Sequence, residues 1–306
     1  MTDVAVAGHF SIDSIFLPNR LHPIVVLGGA VTYVSLAARR LGASASVVSR
    51  VGGDFPQIYT NWLRKEDIDL SGLVRTESER TTRFELQYCG NFADRVLRLT
   101  NRASSLTSTD VPASFSANVV HLAPIAGEVS YELAVLLRSR AEILSLDSQG
   151  LLRRVDSAGK VSLSSNADRR ILESVDVCKC SLDEILFLAN KSDLSSSIKA
   201  IHDYGITTVI VTMGARGAVL SVEDTIYEVP PFNPKTVVDP TGAGDVFVGG
   251  FLVELFRGKD PFWCACVGSG AASLVVEGVG STCLGEKEEI YRRAQTIYEK
   301  WFSASP

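Results

Sequence analysis

The sequence predicts an α/β fold with a mostly parallel central sheet and a small β lid. Three observations carry that reading. Short apolar runs alternate with helix-like segments from the start, at residues 4–7, 30–41, 44–50 and 57–65. This β-loop-α rhythm belongs to parallel sheets with helices on their faces. It lapses at residues 83–100, where polar and apolar side chains alternate, and it resumes from Val119. No internal repeat or low-complexity linker divides the 306 residues. The simplest account is one domain over 1–306, with the lid formed from about 13–27 and 81–101.

Each element has a local reason. Residues 4–7 end at Gly8 and read as a buried strand followed by a turn. Gly28 and Gly29 open a helix of small residues over 30–41, stopped by Gly42. The strand at 44–50 breaks at Gly52 and Gly53, and a helix over 57–65 buries Trp62 and Leu63. Residues 83–88 and 95–100 predict an antiparallel hairpin with one wet face, linked through Gly90 and Asn91. Such a ribbon is either a flap over a site or an edge hairpin with no role. Further strands are predicted at 119–122, 143–147, 175–179, 208–212, 218–222 and 225–229. Helices fit 128–139, 182–189, 195–204, 244–256, 261–276 and 287–302.

Composition narrows the function classes. Hydrophobic residues are 46% and charged residues 21%, which excludes wholesale disorder and supplies a full core. The net charge is −5 and no Lys/Arg run stands out, so nucleic acid is not expected as a partner. Cys89, Cys178, Cys180, Cys264, Cys266 and Cys283 include two C-x-C pairs but no C-x-x-C. Free thiols in a reducing compartment are expected, rather than a disulfide scaffold or a zinc site. No basic leader opens the chain, and no apolar run nears the ~20 residues of a membrane span. A cytoplasmic protein without a membrane partner is expected.

The most informative segment is 237–245, Val-Val-Asp-Pro-Thr-Gly-Ala-Gly-Asp. Pro240 fixes a turn, and Gly242 and Gly244 permit close backbone approach. An apolar helix follows. Its first N–H groups carry the positive end of the helix dipole, an anion hole suited to a phosphoryl group. Asp245 stands at the mouth of that hole. It is read either as the base that takes a proton from an attacking hydroxyl or as a helix cap. The P-loop, protein-kinase and G-x-G-x-x-G motifs are absent, which excludes the enzymes that depend on them.

Four motifs in order resemble the ribokinase-like (PfkB) family of carbohydrate and nucleoside kinases, nearly end to end. Asp239 to Asp245, continuing Val-Phe-Val-Gly-Gly-Phe, resembles the family's C-terminal signature. Gly28-Gly29-Ala30 resembles its N-terminal Gly-Gly signature, and Val51-Gly52-Gly53-Asp54 resembles V-G-x-D. Thr212-Met213-Gly214-Ala215-Arg216-Gly217 resembles the T-x-G-x-x-G element near the nucleotide. The resemblance implies a three-layer α/β/α sandwich. It implies transfer of the γ-phosphate of ATP to an alcohol of a sugar or nucleoside, with Mg2+ and a monovalent cation such as K+.

Roles follow from the matched positions. Asp245 would be the catalytic base, and Gly242, Ala243 and Gly244 would supply the anion-hole amides. Asp239 and Thr241 would help to bind the monovalent cation. Thr212, Gly214 and Gly217 would contact ATP, with Arg216 as a candidate phosphate contact. Gly270, Ala271 and Ala272 would leave room for the flat adenine. Asp13 falls where the family places a hydroxyl-binding Asp, and its alternative is to cap a turn. Gly28 and Gly29 would let the sugar lie against backbone, and His9 is a second candidate contact.

Three features depart from the family. Tyr33 stands where an Asn often touches the sugar, so it is an acceptor contact or a core residue, and ribose specificity is in doubt. The N-x-x-E that organises magnesium through water falls on Cys180-Ser181-Leu182-Asp183, followed by Glu184. The Asn is lost, and the acid is Asp183 or Glu184. The segment before Gly28 is short, so the lid is reduced and completed by the hairpin. Residues 28–33 and the Asp94-Arg95 pair are similar to inositol-type and nucleoside-type members as much as to sugar kinases. Inositol therefore stands as the alternative acceptor, and a non-catalytic sugar-binding relative as the rival reading. The exposed edge of the 83–100 ribbon is read as a pairing edge for a second copy, a homodimer of the kind that lids in this family often make.

Overall fold

Residues 4–7 form the buried end of strand β1 (Thr2–Ala7), which lies inside a nine-stranded sheet. Successive side chains point to opposite faces. Val4 and Val6 enter one apolar core, and Ala5 and Ala7 enter the other. The structure, a computed structural model, describes residues 1–18, 20–88, 95–223 and 225–304. The predicted link at Cys89, Gly90 and Asn91, and Asp94, lie outside the described residues.

The chain continues through β2 (Ser11–Phe16), β3 (Ile24–Gly28), α1 (Ala30–Arg40), β4 (Ala45–Gly52), α2 (Gln57–Lys65) and β5 (Ile68–Thr76). Next come β6 (Thr82–Tyr88), β7 (Arg95–Asn101), β8 (Ala117–Leu122), α3 (Tyr131–Arg138) and β9 (Ala141–Asp147). The short α4 (Gln149–Leu152) leads into a hairpin of β10 (Arg153–Val155) and β11 (Val161–Leu163). The last third holds β12 (Val177–Ser181), α5 (Leu182–Ala189), α6 (Leu194–His202), β13 (Thr208–Thr212), β14 (Ala218–Val222) and β15 (Thr225–Val229). Helices α7 (Ala243–Phe256), α8 (Pro261–Val275) and α9 (Lys287–Ala304) close it.

The large sheet has the order β15-β14-β13-β12-β9-β8-β1-β4-β5. It is parallel from β5 to β13, and β14 and β15 run antiparallel at one edge. One core packs α1, α7, α8 and α9 on one face, and the other packs α3, α5 and α6 on the opposite face. This is the three-layer arrangement expected from the sequence. Among the described residues no helix is long and apolar enough to cross a membrane.

A second, four-stranded sheet has the order β3-β2-β6-β7. The predicted antiparallel hairpin is β6 with β7. Its partners β2 and β3 lie in the segment assigned to the lid without strands, and β2 pairs with β6 in parallel. The β10–β11 hairpin was not predicted either. Its turn clips onto β7, where the Leu99 amide donates to Gly159 O at 2.8 Å. Edge strand β5 was missed because Gly72 and polar residues interrupt it. A Cβ on Gly72 would lie 2.4 Å from Val47 O, so glycine permits this pairing beside the register shift in β4.

Candidate active site

Helix α7 fixes where the site lies. Val246 to Glu254 are buried on every side of the helix, which packs between α1 and α8. A Cβ on Gly249 would come within 2.9 Å of Ala37 Cβ, so close approach to α1 requires glycine. At the helix start Gly242 adopts φ +81°. The Ala243 amide turns back to Pro240 O at 3.2 Å, and the Val246 amide reaches Gly242 O at 2.8 Å. Between them, the amides of Gly244 and Asp245 have no acceptor among the described residues. They carry the positive end of the helix. Ala243, expected in the anion hole, has its amide committed to the turn.

Asp245 opens onto a cavity that Asp13 also lines. Asp13 lies inside β2 rather than at a turn, which removes the turn-cap reading. Gly28 makes space for it, since a Cβ there would lie 1.9 Å from Asp13 Oδ2. Asp13 Oδ1, Ser11 Oγ and Tyr33 Oη are buried without a hydrogen-bond partner. Buried polar atoms are seldom left so, and all three residues line the cavity. Burial pushes the Asp13 carboxyl up to about 6, with the guanidiniums of Arg153 and Arg95 opposing the rise. Tyr33 is 1% exposed in the core, and it lines the cavity.

Around Asp245 the charges are tightly arranged. Burial, and next the charge of Asp147, pushes its carboxyl up to about 7. Lys179, Arg153 and a hydrogen bond from Gln149 oppose the rise. That bond runs from Gln149 Nε2 to Asp245 Oδ1 at 3.1 Å. Lys179 Nζ lies 2.8 Å from Asp147 Oδ2, and both side chains are buried. Burial works against the Lys179 charge, yet Asp147, Glu184 and Asp245 hold its pKa above the ordinary value.

Sequence reasoning missed Asp147, Gln149, Arg153 and Lys179. Two signals were present. A lone lysine in the buried strand Val-Cys-Lys-Cys has no ordinary structural place. Asp147 ends a predicted parallel strand, and the carboxyl ends of such strands are where ligands bind.

The cation candidates are placed as follows. Asp239 Oδ1 accepts from Tyr88 Oη at 2.9 Å, Thr241 N at 3.0 Å and Thr241 Oγ1 at 2.7 Å. Its Oδ2 is buried without a partner, which suits a cation ligand. Ser181 and Glu184 form a capping box at the start of α5, with Glu184 Oε2 accepting from Ser181 N at 2.7 Å. Both acids named from the sequence, Asp183 and Glu184, lie in the first turn of α5. Asp183 is exposed, whereas the Glu184 charge reaches Lys179.

On the expected nucleotide side, Thr212 ends β13 and its Oγ1 donates to Cys180 O at 3.4 Å. Gly214 and Gly217 take φ +58° and +86° in the turn that follows. Arg216 is exposed there and makes no ion pair among the described residues. Two small residues of α8 do not leave room for a base. A Cβ on Gly270 would meet Ile290 O of α9 at 2.8 Å, and Ala271 is fully buried. Ala272 is the partly exposed one of the three. His9 is buried, with its ring nitrogens on Ser104 O at 2.9 Å and Thr82 Oγ1 at 3.0 Å. It braces backbone segments and does not line the cavity.

A family model described as pfkB family carbohydrate kinase matches residues 1–287. The chain belongs to the pfkB family. An inositol 3-kinase of Arabidopsis thaliana is 30% identical over 286 residues, covering 90% of this chain and 74% of its own. A cytidine kinase of Thermococcus kodakarensis is 28% identical over 285 residues, covering 92% of this chain and 98% of its own. The nucleoside kinase structure of Methanocaldococcus jannaschii matches with a TM-score of 0.79 at 24% identity, over 97% of this chain and 99% of that one. As a pfkB kinase, the protein is a phosphotransferase that uses an alcohol group as acceptor.

Proposed function

We propose that this kinase transfers the γ-phosphate of ATP to a hydroxyl of a sugar or nucleoside held between Asp13 and Asp245. The observation that carries this reading is that both carboxyl groups line one cavity. Asp13, Ser11 and Tyr33 offer unpartnered polar atoms to the acceptor hydroxyls, with Gly28 and Gly29 keeping the backbone close. Asp245 takes the proton of the attacking hydroxyl. A carboxyl that titrates near neutrality is suited to that task. The Gly244 and Asp245 amides and the Lys179 ammonium stabilise charge on the transferred group.

Glu184 would face magnesium through water, with one oxygen already held by the Ser181 amide. When bound, Mg2+ offsets the negative charge of the donor phosphates. Asp239 Oδ2 and Thr241 would serve a monovalent cation such as K+. Thr212, Gly214, Gly217, Arg216 and Ala272 would lie along the ATP. A homodimer would form along β3, the edge of the small sheet whose Val25 is 55% exposed. A clean monomer in sedimentation removes that last element.

Inositol is the second reading. Polar groups stand on several walls of the cavity, with Ser11 and Asp13 on one strand, Tyr33 on α1, and Gln149 and Arg153 beyond. A ring bearing hydroxyls all round would use them together, and the inositol 3-kinase relative supports it. ADP release from ATP and Mg2+ is the test, against ribose, fructose, adenosine, cytidine and myo-inositol. Acceptor-dependent release supports the kinase reading and ranks the acceptors. Turnover of myo-inositol alone favours the second reading. Silence across the panel counts against both.

A further inference from the structure

We propose that Gln149 and Arg153 are positioning residues that aim Asp245 and decide which of its oxygens takes the acceptor's proton. The inference rests on Asp245 being the base.

The contacts form a directed chain. Glu128 is fully buried and accepts from the Ile125 amide at 3.0 and 3.1 Å and from the Ala126 amide at 2.7 Å. This fixes the loop after β8. The carbonyl of Ile125 accepts from Arg153 Nη1 at 2.8 Å. Arg153 Nη2 donates to Gln149 Oε1 at 2.6 Å. Gln149 Nε2 then donates to Asp245 Oδ1 at 3.1 Å.

The orientation of the Gln149 amide follows from chemistry. A guanidinium only donates, so it binds the amide oxygen. The amide nitrogen is thereby turned to Asp245. A flipped amide would set its oxygen against the carboxylate and its nitrogen against the guanidinium, and lose both bonds. Asp245 Oδ1 is thus occupied by a donor, and Oδ2 is left to receive the proton. The same bond favours the ionised carboxylate against burial and the charge of Asp147, in concert with Lys179 and Arg153. Tyr33, which also lines the cavity, is protonated at neutral pH, and burial raises its pKa further.

Both residues also line the cavity, so direct contact with the acceptor is the competing role. Kinetics separate the two. With ATP and Mg2+, and cytidine and myo-inositol as acceptors, Gln149→Leu is expected to lower kcat roughly 10- to 100-fold while acceptor KM moves little. The rise of kcat with pH should shift to higher pH. Arg153→Met should show the same loss, and Arg153→Lys should restore part of it by donating to Oε1. The double variant should fall well short of the product of the two single losses, because both cut one chain, with only the direct effect of the Arg153 charge added. Multiplying losses, or a raised KM at unchanged kcat, would overturn the relay in favour of acceptor contact.

A readout independent of turnover is the carboxyl 13C titration of Asp245, assigned against Asp245→Asn. Gln149→Leu should raise its midpoint, and an unmoved midpoint sinks the proposal even if neither acceptor reacts. Asp245→Asn tests the underlying reading. If it turns over like wild type, the base assignment fails. If Asp245→Asn is inactive and Gln149→Leu is normal, the relay alone fails.

Discussion

The ammonium of Lys179 fills the space where a side chain at Gly244 would begin, with Nζ 2.8 Å from that Cβ position. A buried cation therefore supports the backbone amides at the start of α7. Lys179→Met is expected to cut turnover by ~10²–10³. It should also destabilise the fold by about 3–5 kcal/mol, because Asp147 is left charged and buried. Adding Asp147→Asn should return much of the stability without the turnover. Denaturant unfolding and steady-state rates measure both. Recovery of full turnover in the double variant would remove Lys179 from the chemistry.

Gly242 is constrained twice. Its φ is +81°, and a Cβ would lie 2.4 Å from the Tyr33 ring. Gly242→Ala is expected to lower turnover at least ~10-fold by displacing the helix start. Tyr33→Phe should behave differently. It deletes a buried hydroxyl that has no protein partner, so stability should hold or rise slightly. Acceptor KM should rise instead. An unchanged KM would make Tyr33 a packing residue only.

The pH profile follows from the two raised carboxyls. A base works only when ionised, so kcat should climb as pH rises through about 7 and level off above it. Acceptor affinity should improve as Asp13 ionises through about 6. Rates measured from pH 5 to 9 test both. A flat kcat over that range would argue that Asp245 is not the base.

Stability should run the opposite way. The folded pKa of Asp245 lies above its unfolded value of about 3.9. The folded state therefore binds more protons, and its stability falls as pH rises from ~4 through the folded pKa. Asp245→Asn should raise Tm by a few degrees at pH 8 and by less at pH 5. Thermal melts at the two pH values decide it, and an equal shift at both would be the contrary result.

Much of the sheet was legible because its strands are short apolar runs bounded by glycine or polar residues. β13, β14, β15, α2 and α5 fall at the residues that periodicity assigns. β2 was not legible because its pattern is inverted by function. Ser11 and Asp13 are polar yet buried, since they face the cavity. Asp245 could be found because it closes a glycine motif, and Asp13 because it follows the first strand where the resemblance places a hydroxyl-binding Asp. Lys179, Gln149 and Arg153 could not be joined to them, because those contacts link segments far apart in the chain. Gly270 shows the converse limit. The sequence reveals a missing side chain, but not which neighbour uses the space.

Helix α7 is buried all round and comes late in the chain. Its neighbour α1 is finished long before, and Ala30 to Ala38 of α1 are all covered in the complete protein. During synthesis the N-terminal portion therefore waits with an apolar flank open to solvent. The segment that seals this flank is the one that carries Asp245. A chain stopped before residue 243 would lack the proposed base and leave this flank of α1 uncovered. Sealing of this flank and delivery of the proposed base therefore come in one step, so products that stop short of α7 are clients for chaperones and proteases rather than half-working enzymes.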